Sequence, residues 1–128
     1  MAFFSGCDSN QYVLQVVVIG QYTFNVLTEE QKRDYDLMLE ARQEASKKIA
    51  VHLKNNDGTY VPLKLRDPDN PSADPVEKQE YITLYWAKFN GASGDLNLSS
   101  PGKKTLRVSF KGAVGECEYT VVDPNDKS

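Results

Sequence analysis

The sequence predicts a mainly β protein, an antiparallel β-sandwich with one added α-helix, on three observations. Short β-branched and aromatic runs of alternating polarity recur from Tyr12 to Val122, broken by Gly, Asn, Asp and Pro. One stretch alone, residues 28–48, switches to a helical period and carries its own end signals. The composition is that of a folded chain, with 40% hydrophobic and 26% charged residues in 128. A chain of this length buries roughly two thirds of its unfolded surface, enough for one core without staples. The expected organisation is a single domain over 1–128. N-terminal strands run to 27, the helix spans 28–48, a β region spans 49–122, and 123–128 is a tail.

Residues 12–19 are β-branched and nearly continuous, which predicts a strand buried on both faces. Gly20 and Gln21 interrupt it. Tyr22, Phe24 and Val26 then alternate with Thr23 and Asn25, so this piece is either the second arm of a hairpin or a continuation bent at Gly20. Thr28-Glu29-Glu30-Gln31 forms a capping box, and Leu37, Met38, Ala41 and Ala45 fall on one helical stripe. Acidic residues in the first turn and Lys47 and Lys48 in the last suit the helix dipole. Glu29–Arg33 and Glu44–Lys48 are spaced for i,i+4 ion pairs.

The period then becomes 2. Ile49, Val51 and Leu53 alternate with Ala50, His52 and Lys54, and Asn55-Asn56-Asp57-Gly58 is a turn. Val61, Leu63 and Leu65 read as the return strand, at an edge because Pro62 has no N–H to give. Residues 66–79, with three prolines among Asp and Asn, read as a long solvated loop. Residues 81–89 read as the strand richest in aromatics, and 90–102 as a turn-rich connection. Leu106, Val108 and Phe110 alternate along one further strand. A glycine loop over 112–115 leads to a last strand, with Cys117, Tyr119 and Val121 facing away from Glu116, Glu118 and Thr120.

Several classes of function are disfavoured. A net charge of −3 with no clustered basic motif argues against nucleic acid, which is bound through phosphate-neutralising Lys and Arg. No apolar run approaches the ~20 residues of a membrane span. Two cysteines, Cys7 and Cys117, form no CxxC motif. They either close one bridge or stand as separate thiols. Ser5-Gly6-Cys7 resembles a lipoprotein cleavage box, but only Ala2, Phe3 and Phe4 stand where an apolar stretch of about 7–15 residues is needed. There is no complete signal peptide, and the expectation is a cytoplasmically made, unprocessed product.

Candidate chemistry is sparse, and no catalytic residue, metal ligand or cofactor site is assigned. His52 is the single histidine, so any triad or multi-His metal site must use it. Its alternation predicts a solvent-facing strand residue. Glu116 and Glu118 share a strand face about 7 Å apart, within reach of a glycosidase-type carboxylate pair. A polar outer face paired across the hairpin with Arg107 or Lys111 is the plainer reading. Asp67, Asp69, Asn70 and Asp74 are calcium-type oxygen donors without EF-hand spacing. The informative segment is 81–89. As a strand it puts Ile82, Leu84 and Trp86 on one face and Tyr81, Tyr85 and Phe89 on the other. The second row is covered by the helix or meets another molecule, and Tyr81, Tyr85 and Phe89 are the candidate interface.

Residues 49–122 resemble a bacterial immunoglobulin-like domain. The matching pieces are Asp57-Gly58-Thr59, the entry Ser99-Ser100-Pro101-Gly102-Lys103-Lys104-Thr105 into a strand, and the closing Glu118-Tyr119-Thr120-Val121-Val122. The helix and the acidic proline loop depart from that pattern. The resemblance implies a non-enzymatic module of display, spacing or adhesion, with protein partners in self- or hetero-assembly. Such modules belong to a phage virion or a bacterial cell surface, anchored in the second case through Cys7. One helix before antiparallel strands also loosely resembles a cystatin-like arrangement, which implies a small inhibitor or ligand-binding protein.

Overall fold

The computed structural model describes residues 12–78 and 80–125. Cys7 lies outside the described residues, and with it the expected bridge to Cys117 and the lipid anchor. In chain order the elements are β1 (Tyr12–Val18), β2 (Phe24–Asn25), α1 (Glu29–Arg33), α2 (Tyr35–Ser46), β3 (Ile49–Asn55), β4 (Leu63–Leu65), β5 (Val76–Lys78), β6 (Tyr81–Thr83), α3 (Leu84–Phe89), β7 (Gly102–Phe110) and β8 (Ala113–Val122). The described chain is therefore mainly β. One antiparallel sheet has the order β1-β3-β6, a second has β2-β8-β7, and β4 and β5 pair separately.

The two larger sheets share one core. Leu14, Val16, Val51, Leu53 and Ile82 from the first pack into the same cluster as Leu106, Val108, Phe110, Tyr119 and Val121 from the second. β1 packs against β8 where the sheets approach. Gly115 makes that approach possible, since a Cβ there would fall on the Leu14 carbonyl oxygen. Phe24 sits in the same core, edge-on to Tyr119 at 5.7 Å between ring centroids.

The alternating strands follow the sequence closely. Leu106, Val108 and Phe110 are buried, as are Ala113, Tyr119 and Val121, while Arg107, Glu116 and Glu118 point outward. The hairpin between them is tighter than expected. Phe110 pairs with Ala113, so the turn is Lys111-Gly112 alone, both at positive φ (53° and 83°), and residues 113–115 belong to β8. Two left-handed residues suit the right-handed twist of the flanking strands.

Five other expectations are corrected. β1 is buried on one face only: Leu14 and Val16 point inward, while Val13, Gln15 and Val17 are exposed. Residues 22–26 neither return beside β1 nor extend it. The chain turns at Gly20 (φ 64°) and joins the other sheet, where Phe24 and Asn25 run parallel to Val121 and Val122. The capping box forms as read, with the Gln31 N–H donating to Thr28 Oγ1 at 3.1 Å. But the helix breaks at Asp34, which leaves helical geometry and caps α2 by accepting from the Asp36 and Leu37 amides. The ion pairs close at i,i+3, Glu29–Lys32 and Glu44–Lys47, one residue short of the expected spacing.

Fourth, the return after the Asn55–Gly58 turn meets only the end of β3, through the bond from the Asn55 N–H to the Thr59 carbonyl, the Lys54–Tyr60 bridge and the bond from the Val61 N–H to the Leu53 carbonyl. At Pro62 the chain leaves, and β4 pairs with β5 instead. The long loop, expected over 66–79, is thus shortened at its C-terminal end to 66–75. Fifth, residues 81–89 are not one strand. β6 ends at Thr83, whose hydroxyl accepts from the Trp86 amide and caps α3. Asn90 closes that helix and Gly91 follows at φ 104°, a left-handed helix ending.

Candidate functional site

The outer face of the β1-β3-β6 sheet follows from period 2 and register. Val13, Gln15 and Val17 pair with Lys54, His52 and Ala50, and His52 and Ala50 pair in turn with Tyr81 and Thr83. Tyr60 joins this face through its bridge to Lys54. Val13, Val17, Tyr60 and Tyr81 are between 37% and 50% exposed. Together they form an exposed apolar row on the outward strand face, turned away from the core.

His52 lies at the centre of that face. Its ring centroid is 5.6 Å from Tyr81 and 6.1 Å from Tyr60. It faces outward as expected, but the two tyrosines half-bury it. Its Nδ1 is buried with no hydrogen-bond partner among the described residues. Burial first, then the charge of Lys54, pulls the imidazole below its ordinary pKa, and Glu80 opposes them.

The candidate row Tyr81, Tyr85 and Phe89 is divided by the strand-to-helix switch. Tyr81 stays on the outer sheet face. Tyr85 is half-buried on α3 with the Lys47 ammonium 5.2 Å from its ring, so the end of α2 meets it. Phe89 is exposed at the last residue of α3. Of the opposite row, Ile82 and Leu84 are buried and Trp86 is half-buried.

Beside Tyr81 a cleft of about 650 Å³ is lined by Glu77, Lys78, Glu80, Thr83 and Trp86. The Lys78 ammonium lies 5.1 Å from the Trp86 ring centroid. Sequence reading missed this cleft, because it assigned Val76–Lys78 to a loop and Trp86 to a strand face turned away from Tyr81.

The other candidates stay apart. Glu116 lies on the exposed face of β8, with Arg107 Nη1 at 3.3 Å from its Oε2, and Glu118 pairs in register with Thr105. Asp67 accepts from the Asp69 amide, a turn bond that orders the loop. Among the described residues, no three His, Cys, Asp or Glu side chains group as metal ligands. Burial raises the Cys117 thiol above its ordinary pKa, away from thiolate reactivity. No helix among the described residues is long and apolar enough to cross a membrane. No protein-family model matches the chain, and no curated protein or solved structure matches it.

Proposed function

We propose that this chain is a non-enzymatic structural or interaction protein that works by surface contact, as one component of a larger assembly such as a phage virion. The observation that carries the reading is the outer face of the β1-β3-β6 sheet, where Val13, Val17, Tyr60 and Tyr81 stand in water around His52. Tyrosine is enriched at protein interfaces, where its ring packs and its hydroxyl stays wet. The first partner in line is a second copy. β1 carries no charged side chain from Tyr12 to Val18, so nothing on that strand repels its own duplicate.

The immunoglobulin-like sandwich is the finer reading of the fold. Supporting it are the long β7–β8 hairpin, the shared core between two sheets, and the Tyr119 hydroxyl that accepts from the Asn97 amide at 2.7 Å. The parallel pairing of β2 with β8 and the three helices are its departures from that pattern.

Light scattering of the full chain tests the function. The expected result is a discrete oligomer that becomes a folded monomer on Val17→Lys. A wild type that stays monomeric at high micromolar concentration would remove self-assembly through this face. A turnover activity abolished by His52→Ala or Glu118→Gln would overturn the non-catalytic reading.

A further inference from the structure

The two rings that half-bury His52 are anchored very differently. Tyr81 is its register partner in the β3–β6 ladder, and the next residue, Ile82, is buried in the core. Tyr60 stands on a short arm beyond the Asn55–Thr59 turn. That arm is tied to β3 by the Lys54–Tyr60 bridge and the bond from the Val61 N–H to the Leu53 carbonyl at 3.0 Å. Pro62 follows and has no N–H to add. The turn is braced on its own account. Asp57 Oδ1 accepts from the Thr59 N–H at 3.0 Å and from the Thr59 hydroxyl at 2.6 Å, and Asn55 Nδ2 donates to Thr59 Oγ1 at 3.0 Å.

A neutral imidazole can leave Nδ1 as a bare acceptor, whereas an imidazolium carries an N–H on both nitrogens. Nδ1 of His52 is buried without a partner among the described residues, so the charged ring needs water that the tyrosines exclude. The groups that face it are Lys54 on its own strand, Glu80 just before β6, and the phenols of Tyr60 and Tyr81, while Gln15 opposite it on β1 is uncharged. Burial and Lys54 oppose the proton, and Glu80 favours it. Attraction between an imidazolium and the Tyr60 ring is offset, because the Lys54 ammonium already lies 5.3 Å from that ring. We propose that protonation of His52 releases the Tyr60 arm from β3, with the Asn55–Thr59 turn as its hinge, so that acid opens one corner of the outer face while the β1-β3-β6 ladder holds. Tyr60 is the ring that yields, since strand pairing and the buried Ile82 fix Tyr81. Segments held by few bonds open at free energies well below that of the whole fold. The hinge outlasts the switch: the bonds from Thr59 keep the Asp57 carboxyl below its ordinary pKa, so it is still ionised after His52 has titrated. The device acts within one chain and does not depend on what the face meets.

The test is amide hydrogen exchange, followed by NMR in the dilute full chain from about pH 7.5 to about pH 5 and corrected for the intrinsic exchange rate. Protection of the Val61 N–H should fall about tenfold across that range, with the midpoint of the His52 Cε1–H titration, while the amides of the β7–β8 ladder keep theirs. His52→Gln should abolish the fall. Lys54→Gln should move the midpoint to higher pH and Glu80→Gln to lower pH, each by removing the charge that acts on the imidazole. The coincidence of midpoints is read in the wild-type chain, so it decides the matter even if His52→Gln fails to fold. Val61 protection that stays constant while His52 titrates would overturn the proposal. So would a fall shared with the β7–β8 ladder, which is global unfolding, or a fall that persists in His52→Gln.

Discussion

His52 shows how much one side chain's meaning depends on its neighbours. From the strand period it is an outward residue, and the structure agrees. Tyr60 and Tyr81 then close around it and take it partly out of water. A base whose pKa is lower folded than unfolded binds fewer protons in the native state, so stability rises with pH across the gap. The favourable contribution is therefore complete above the unfolded value of about 6.5 and is lost as pH falls through the lowered folded value. Urea melts at a series of pH values should show the midpoint dropping as acidification crosses that window, with His52→Gln flattening the dependence. An unchanged profile in the variant would place the acid sensitivity elsewhere. The alternation of Ile49, Val51 and Leu53 made His52's direction legible. Its burial was not, because Tyr60 and Tyr81 arrive from separate segments.

At the scale of elements, the strongly periodic strands were readable and the junctions were not. β7 alternates cleanly and β3 and β8 keep a continuous inward apolar row, so a single register buries the right set, although Ala50 on the other face of β3 is buried too. Residues 81–89 misled because aromatics favour strands in general, yet Thr83 and Asn90-Gly91 are start and stop signals for a short helix. Packing decided between them, burying Leu84 and Ala87. Asp34 is a similar case. Its carboxylate accepts from two amides of the next helix, and the sequence held that capping signal inside what read as one continuous stripe. Asp34→Ala should cost about 1 kcal/mol, the usual worth of such a cap, by chemical denaturation. A loss near zero would mean that tertiary packing of Met38, Ala41 and Ala45 holds α2 without it.

For the whole molecule the decisive feature is how the two sheets meet. β8 approaches β1 so closely at Gly115 that any Cβ would press on the Leu14 carbonyl oxygen and lie 3.1 Å from Val16 Cγ2. Both obstacles belong to a buried strand, so relief requires backbone movement. Gly115→Ala should destabilise the protein by about 1–3 kcal/mol, as overpacking of a tight core does. A urea midpoint equal to wild type would show that the sheets can separate there at little expense. The other long edge is managed differently. Among the described residues the outer side of β7 is met only by the Ser93–Ser109 bridge, and Lys103, Lys104 and Arg107 along it discourage further strand addition. By itself the sequence determined the mainly β class, the capped helical region, the β7–β8 hairpin and the inward side of each alternating strand. Those properties rest on local period, turn residues and caps, whose physics acts within a few residues. Only the tertiary structure decided that β2 joins the second sheet in parallel, that β1 exposes half its valines, and that Trp86, Lys78 and Tyr81 share a cleft. Those outcomes turn on which surfaces remain unburied after distant segments have paired, and no local pattern encodes that competition.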